Sequence, residues 1–313
     1  MTRVQLPEVT SQAGKRARLG RILFRAGLCN GTAMLLPYDH GLEHGPQDFF
    51  ANPQAADPRY IIRLAEEAGF NGIAMQIGMA ERFTSYFSGE VPLVLKLNGK
   101  TNIPHDDGPV SPVNATVEDA VRLGAEAVGY TLYVGSPGQV SDLAQLRQVR
   151  QDAMRLGMPL IIWAYPRGSA IDAKGGRDSL YAIDYAARTA SELGADVVKI
   201  NFPKLDSGPA GSQYPDRWSA QDAMNQIVRS ATGSLILCSG GAMDSAETVL
   251  EKARVTMEAG GTGIIFGRNM WQRDHADGLR FAARLRELLE RYPAGPAPAL
   301  SAGELPAPSG QPR

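Results

Sequence analysis

The chain has 313 residues, 43% of them hydrophobic and 21% charged, an ordinary composition for a folded protein with one large core. A formal net charge of −1 argues against nucleic acid as the main ligand, so any phosphate recognition must be local. No run approaches the ~18 consecutive apolar residues of a membrane-spanning helix. Cys29 and Cys238 lack the spacing of a disulfide framework, a zinc site or a redox pair, which fits a reducing cytoplasm.

The first 25 residues are polar and then basic (Lys15, Arg16, Arg18), without the apolar centre of a signal peptide. They read as an N-terminal extension whose basic cluster lies on a solvated helix face. Residues 26–292 read as one barrel domain, and between residues 34 and 269 one pattern repeats: a short apolar run ends near Gly, Pro or Asn, and a helix-period segment follows. The apolar runs are Met34–Asp39, Gly72–Gln76, Leu93–Asn98, Ala127–Val134, Leu160–Tyr165, Asp196–Phe202, Leu235–Ser239 and Gly263–Gly267. Helical segments between them include Pro58–Ala68, Val117–Leu123, Val140–Leu156, Ser179–Leu193, Ala220–Ala231 and Ser245–Ala259, with only the short Met79–Phe87 after the second run. Gly69, Gly124, Gly157, Gly194 and Gly260 each follow a helix where a left-handed C-cap is needed. Strict alternation at this length predicts a single (β/α)8 TIM barrel of parallel strands. A doubly wound open sheet is the alternative, but no GxGxxG follows the first strand. Residues 293–313 are rich in Pro, Ala, Gly and Ser and carry no aromatics, which predicts a disordered tail.

A barrel of this kind carries its chemistry at the C-terminal ends of its strands. Lys199 stands in the apolar, β-branched run Asp196–Phe202. A buried ammonium tends to shed its proton, and a neutral amine beside a ketone forms a Schiff base. The competing reading is a lysine at a strand end reaching to solvent. Side chains alternate along a strand, so Lys199 shares a face with Val197 and Asn201, and Tyr165 shares one with Trp163 and Arg167. By the same parity Asp39, Lys96, Tyr165 and Lys199 converge at one mouth. There Lys96 would lower the pKa of Lys199, Asp39 could exchange protons with a carbinolamine, and Tyr165 could protonate a carbanion. Asp39 also suits a turn before glycine, Trp163 and Tyr165 suit plain packing, and Lys96 suits a structural ion pair.

Ser239-Gly240-Gly241 and Gly267-Arg268-Asn269 end the last two runs, where backbone N–H groups and an arginine suit an anion. His40 and His44 have the i,i+4 spacing of a zinc pair, but Gly41, Gly45 and Pro46 argue against a regular helix there. His105, Asp106 and Asp107 offer further ligands that no frame ties together, and no metal is expected.

The phrases Pro37-Tyr38-Asp39-His40-Gly41, Leu95-Lys96-Leu97-Asn98-Gly99, Trp163-Ala164-Tyr165-Pro166-Arg167-Gly168, Asp196-Val197-Val198-Lys199, Ser239-Gly240-Gly241 and Gly267-Arg268-Asn269 resemble, in order, those of the archaeal-type (DhnA-type) class I fructose-bisphosphate aldolases. The resemblance spans roughly residues 20 to 290. It implies a (β/α)8 barrel with Lys199 as the Schiff-base lysine, Tyr165 as proton donor and Asp39 assisting proton transfers at the substrate hydroxyls. It further implies substrate contacts from His40, His44, Asp48, Lys96, Trp163 and Arg167, and phosphate contacts from Ser239, Gly240, Gly241, Gly267 and Arg268. The substrate would be a sugar phosphate, with no metal or cofactor, in a homo-oligomer that in this family is often a decamer. Relatives on the same barrel include an aminodideoxyheptulosonate synthase and a phospho-autoinducer-2 thiolase. The pair Tyr165 and Arg167 with the His44/Asp48 loop favours the aldolase. A silent sugar-phosphate-binding barrel and a metal-dependent aldolase are the readings from other classes, and the intact set Asp39, Lys96, Tyr165 and Lys199 speaks against the silent one.

Overall fold

Eight parallel strands close on themselves in chain order, each hydrogen-bonded to the next and β8 to β1. They are β1 (Ala33–Tyr38), β2 (Gly72–Gln76), β3 (Leu93–Lys96), β4 (Ala127–Val134), β5 (Leu160–Pro166), β6 (Val197–Asn201), β7 (Leu235–Ser239) and β8 (Gly263–Ile265). The structure is a computed structural model and describes residues 3–87, 89–104, 108–205, 214 and 218–294. His105, Asp106 and Asp107, and the tail from residue 295 onward, lie outside the described residues.

Closure confirms the parallel barrel and removes the open sheet. The strands start where the apolar runs start, to within a residue, but β3 and β8 stop two residues early, because polar and glycine residues there turn into the catalytic-face loops. The helices Pro58–Ala68, Val117–Arg122, Gln139–Arg155, Leu180–Glu192, Ala220–Ser230 and Ala246–Glu258 fall within about a residue of their expected bounds. All five glycines expected at helix ends have positive φ, between 61° and 95°. A final helix, His275–Glu290, packs beside Pro58–Ala68 and completes the ring.

Two layers of apolar side chains result. Outward-facing strand residues meet the helices. Inward-facing ones, including Leu35, Ala74, Val94, Ala127, Ile161, Trp163, Val197, Leu237 and Ile265, fill the barrel. The inner layer is continuous with Leu19, Ile22 and Leu23 of the helix Ala13–Phe24, which lies across the N-terminal end of the barrel.

That helix corrects one expectation. Lys15 is not on a solvated face: it is buried, and its Nζ lies 2.7 Å from Asp196 Oδ2 at the entrance to β6. Arg18 donates to Ala125 O at 2.9 Å and Arg21 pairs with Glu126 at 2.5 Å. Of the basic cluster only Arg16 is exposed. The apolar barrel interior needs a lid at this end, and Lys15 serves it by neutralising the carboxylate that also caps Leu160 N at 2.8 Å.

A second correction concerns the loop after β1. His40–His44 does form one helical turn, ended by Gly45 at φ 78°, and Pro46–Phe49 continues as a 3-10 turn. The glycines limit the helix to five residues instead of preventing it.

Candidate active site

At the C-terminal end of the barrel a cavity of about 970 Å³ opens, lined from β1, β5, β6, β7 and β8 and the segments that follow them, and from the segment after β3. Lys199 rises from its floor. The register of β5 and β6 places Trp163 directly beside Lys199, and Lys199 Nζ sits 5.4 Å from the indole centroid. It is also hydrogen-bonded to the Tyr165 hydroxyl, two residues further along β5. Burial lowers the Lys199 pKa to about 8, with Lys96 and Arg268 acting in the same direction and Asp39 and Glu43 opposing them.

Lys96 and Asp39 lie just behind. Lys96 Nζ is 3.4 Å from Asp39 Oδ2, donates to Thr131 Oγ1 at 2.7 Å, and lies 5.1 Å from the Trp163 centroid on the indole that Lys199 also faces. Burial works to raise the Asp39 pKa, but Lys96, His40 and Lys199 outweigh it and hold the carboxyl at about 2. Burial moves the Tyr165 pKa upward, and the negative charges of Glu43 and Asp39 add to this, so the phenol keeps its proton. Burial lowers His40 to about 4, a neutral imidazole at physiological pH.

The crowding of these groups has a local cause in β4. A side chain at Gly129 would place its Cβ 2.5 Å from Trp163 Cζ3 and 3.0 Å from Lys96 Cδ. Only glycine lets the indole and the lysine stem cross the barrel axis there.

On the far wall stand Ser239, Gly240 and Gly241 after β7, and Gly267 and Arg268 after β8. Ser239 Oγ donates to Asn201 Oδ1 at 2.7 Å, and Asn201 Nδ2 donates to Asp178 Oδ1 at 3.2 Å. Among the described residues, Arg268 Nε, His40 Nδ1 and Trp163 Nε1 are buried atoms without a hydrogen-bond partner, and all three residues line the cavity. Unpaired polar atoms of this kind are costly unless a ligand meets them.

The residues named from sequence thus fall into two groups. Asp39, His40, His44, Trp163, Tyr165, Arg167, Lys199, Ser239, Gly240, Gly241, Gly267 and Arg268 all line the cavity. Lys96 and Asp48 do not. Lys96 is screened from it beneath Asp39, and Asp48 stands behind His44, its Oδ2 2.6 Å from His44 Nδ1. Asp48 therefore sets the orientation of the His44 ring and leaves Nε2 as the outward atom.

Sequence reasoning missed Glu43, Arg177, Asp178, Lys204 and Lys252, all of which line the cavity. Glu43 accepts from the Tyr133 hydroxyl at 3.1 Å. No motif marks these positions: Glu43 lies in the turn His40–His44, Lys252 in the helix Ala246–Glu258, and Arg177 and Asp178 well beyond the end of β5. Among the described residues, no three His, Cys, Asp or Glu side chains are gathered as metal ligands would be.

Residues 33–273 match the DeoC/LacD family of aldolases. The class 1 fructose-bisphosphate aldolase of Thermoproteus tenax is 43% identical over 260 residues, 83% of this chain and 90% of that one. The class 1 enzyme of Halobacterium salinarum is 37% identical over 79% of this chain and 86% of its own. A solved archaeal fructose-1,6-bisphosphate aldolase, its catalytic lysine covalently bound to the carbinolamine intermediate of the substrate, matches with a TM-score of 0.74 and 40% identity, covering 86% of this chain and 98% of that chain. On this likeness, and on a closed barrel with a buried lysine at its mouth, the chain belongs to the DeoC/LacD aldolase family and within it to the class I fructose-bisphosphate aldolases.

Proposed function

We propose that the chain cleaves fructose 1,6-bisphosphate reversibly to dihydroxyacetone phosphate and glyceraldehyde 3-phosphate through an iminium on Lys199. The observation that carries this reading is the setting of Lys199: a buried amine, pKa about 8, held between the Tyr165 hydroxyl and the Trp163 face.

Lys199 Nζ adds to the C2 ketone of the open-chain sugar, and the carbinolamine loses water to give the iminium. As the C4 hydroxyl loses its proton, the C3–C4 bonding pair flows into the iminium and the aldehyde leaves. The Tyr165 phenol, protonated in the resting enzyme, donates to C3 of the remaining enamine and is reprotonated from solvent as hydrolysis frees the ketone phosphate. Asp39, ionised above about pH 2, takes up protons at the substrate hydroxyls and offsets the cationic intermediate. Lys96 keeps Asp39 ionised and keeps a second positive charge near Lys199. His40, His44, Trp163 and Arg167 contact the sugar. One phosphate sits on Ser239–Gly241 and Gly267–Arg268, where Arg268 Nε meets an oxygen.

The same reading places the enzyme in glycolysis and gluconeogenesis, in the cytoplasm, as a homo-oligomer. Two free cysteines suit that compartment, and among the described residues no helix is long and apolar enough to cross a membrane.

The test is borohydride trapping with dihydroxyacetone phosphate and with fructose 1,6-bisphosphate, in chelator, followed by peptide mass analysis. An adduct at Lys199 supports the mechanism. Chelator-resistant turnover with no adduct at any lysine would sink it.

A further inference from the structure

The loop that follows β7 is fastened from behind by one buried amide. Asn269 belongs to the four-residue helix Arg268–Trp271 and has no exposed surface. Its Oδ1 accepts from Asp244 N at 2.9 Å, and its Nδ2 donates to Ala242 O at 3.0 Å. Both partners are backbone groups of the loop, so the amide fixes main chain and not a side chain. Arg273, one turn later, reinforces the clasp: Nε donates to Asn269 O at 2.8 Å and Nη2 to Asp244 O at 3.3 Å.

The near side of the loop is shaped to admit that amide. A Cβ on Gly240 would come 2.7 Å from Asn269 Nδ2, so the absence of a side chain at 240 is what lets the peg seat. Arg268 and Asn269 are adjacent: one residue carries a guanidinium into the cavity, and the next holds the opposite half of the cradle in place. Without the peg, the exposed stretch Gly241–Met243 has few other ties, and its N–H groups would have to be ordered by the ligand at an entropic cost.

We infer that Asn269 is a positioning residue for the phosphate cradle: it preorganises the backbone of Gly240–Ala242 and so acts on phosphorylated ketones while leaving the chemistry at Lys199 untouched. The inference rests on the reading of Ser239–Gly241 with Gly267–Arg268 as a phosphate site.

Dihydroxyacetone and dihydroxyacetone phosphate form the same imine and differ only in the phosphate, which makes them the probes. In the wild type, the concentration giving half-maximal borohydride trapping at Lys199 should be much lower for the phosphate ester. In Asn269→Ala that concentration should rise about tenfold for the ester, as expected for two lost hydrogen bonds of ordinary strength, and stay unchanged for dihydroxyacetone. KM for fructose 1,6-bisphosphate should rise in step while kcat changes little. Arg273→Gln should move the ester in the same direction by less, and it decides the matter should Asn269→Ala not fold. Equal losses for both ketones, or none for either, would overturn the inference, since the residue would then support the whole mouth or nothing. A wild type that traps both ketones alike would instead remove the phosphate site itself.

Discussion

Lys96 and Asp39 form an ion pair inside the barrel, Nζ to Oδ2 at 3.4 Å, with side chains only 2% and 7% exposed. Two unit charges removed from water are costly to bury, and their attraction offsets that cost only when other bonds complete the shell. Thr131 Oγ1 and Asn98 O supply two of those bonds to Lys96. The pair matters because Lys199 is a third charge beside it: the Lys96 charge adds to burial in lowering the Lys199 pKa, and Asp39 opposes both.

Removing Lys96 should therefore act twice. Lys96→Met strands a buried carboxylate, and chemical denaturation should report a stability loss of about 3–5 kcal/mol. In the folded fraction the Lys199 pKa should rise, because the Lys96 charge that lowers it is gone. The acidic limb of kcat/KM should then move to higher pH, and a limb that stays in place would separate Lys96 from the nucleophile.

The wild-type pH profile follows from the same group. With the Lys199 pKa at about 8 in the free enzyme, kcat/KM should climb through that pH and level off above it. Stability has its own sign. The ordinary lysine value is 10.5, so between about pH 8 and 10.5 the unfolded chain binds more protons than the native one. The Lys199 contribution to stability thus rises with pH across that window and is least favourable below it. Lys199→Met should be inactive yet melt above the wild type at pH 7, with the gap closing toward pH 10.5 in scanning calorimetry. A variant that melts well below the wild type at pH 7 would contradict a strained, buried amine.

Tyr165→Phe should keep the imine and lose the proton donor. Turnover should fall by about 10²- to 10⁴-fold with little change in KM, and borohydride should still trap dihydroxyacetone phosphate on Lys199. A raised KM at unchanged kcat would make Tyr165 a binding group.

Much of this arrangement was legible in sequence because a barrel strand has period two. Parity from Val197 to Lys199, and from Trp163 to Tyr165, placed those groups on the inner face, and the structure puts them there. Parity along one strand says nothing of depth, however: it put Lys96 at the mouth with Lys199, whereas Lys96 is paired with Asp39 and is not among the residues that line the cavity. Lys15 was misread for a related reason. A helix with four basic residues looks solvated until its partners are known, and Asp196 stands 181 residues from Lys15. Asn269 stood in a recognised phrase, but its hold on Ala242 and Asp244 depends on how the loops after β7 and β8 meet, which no local pattern encodes.

The basal ion pair can be tested on its own. Lys15→Met should cost about 3 kcal/mol in denaturant unfolding by leaving Asp196 unpaired, while kcat per folded molecule stays near the wild type. A large fall in kcat at unchanged stability would instead tie the lower end of β6 to Lys199 at its upper end.

The helix Ala13–Phe24 also decides what kind of vessel the barrel is. With Leu19, Ile22 and Leu23 stacked beneath the inner layer, the barrel is a cup and not a tube. Traffic of sugar, aldehyde and the water released or consumed at the imine has one rim to cross, at the strand ends where the cations stand. A molecule shortened into that helix would lose its floor, and water could then reach the apolar layer beneath Lys199 from the side the chemistry leaves dry.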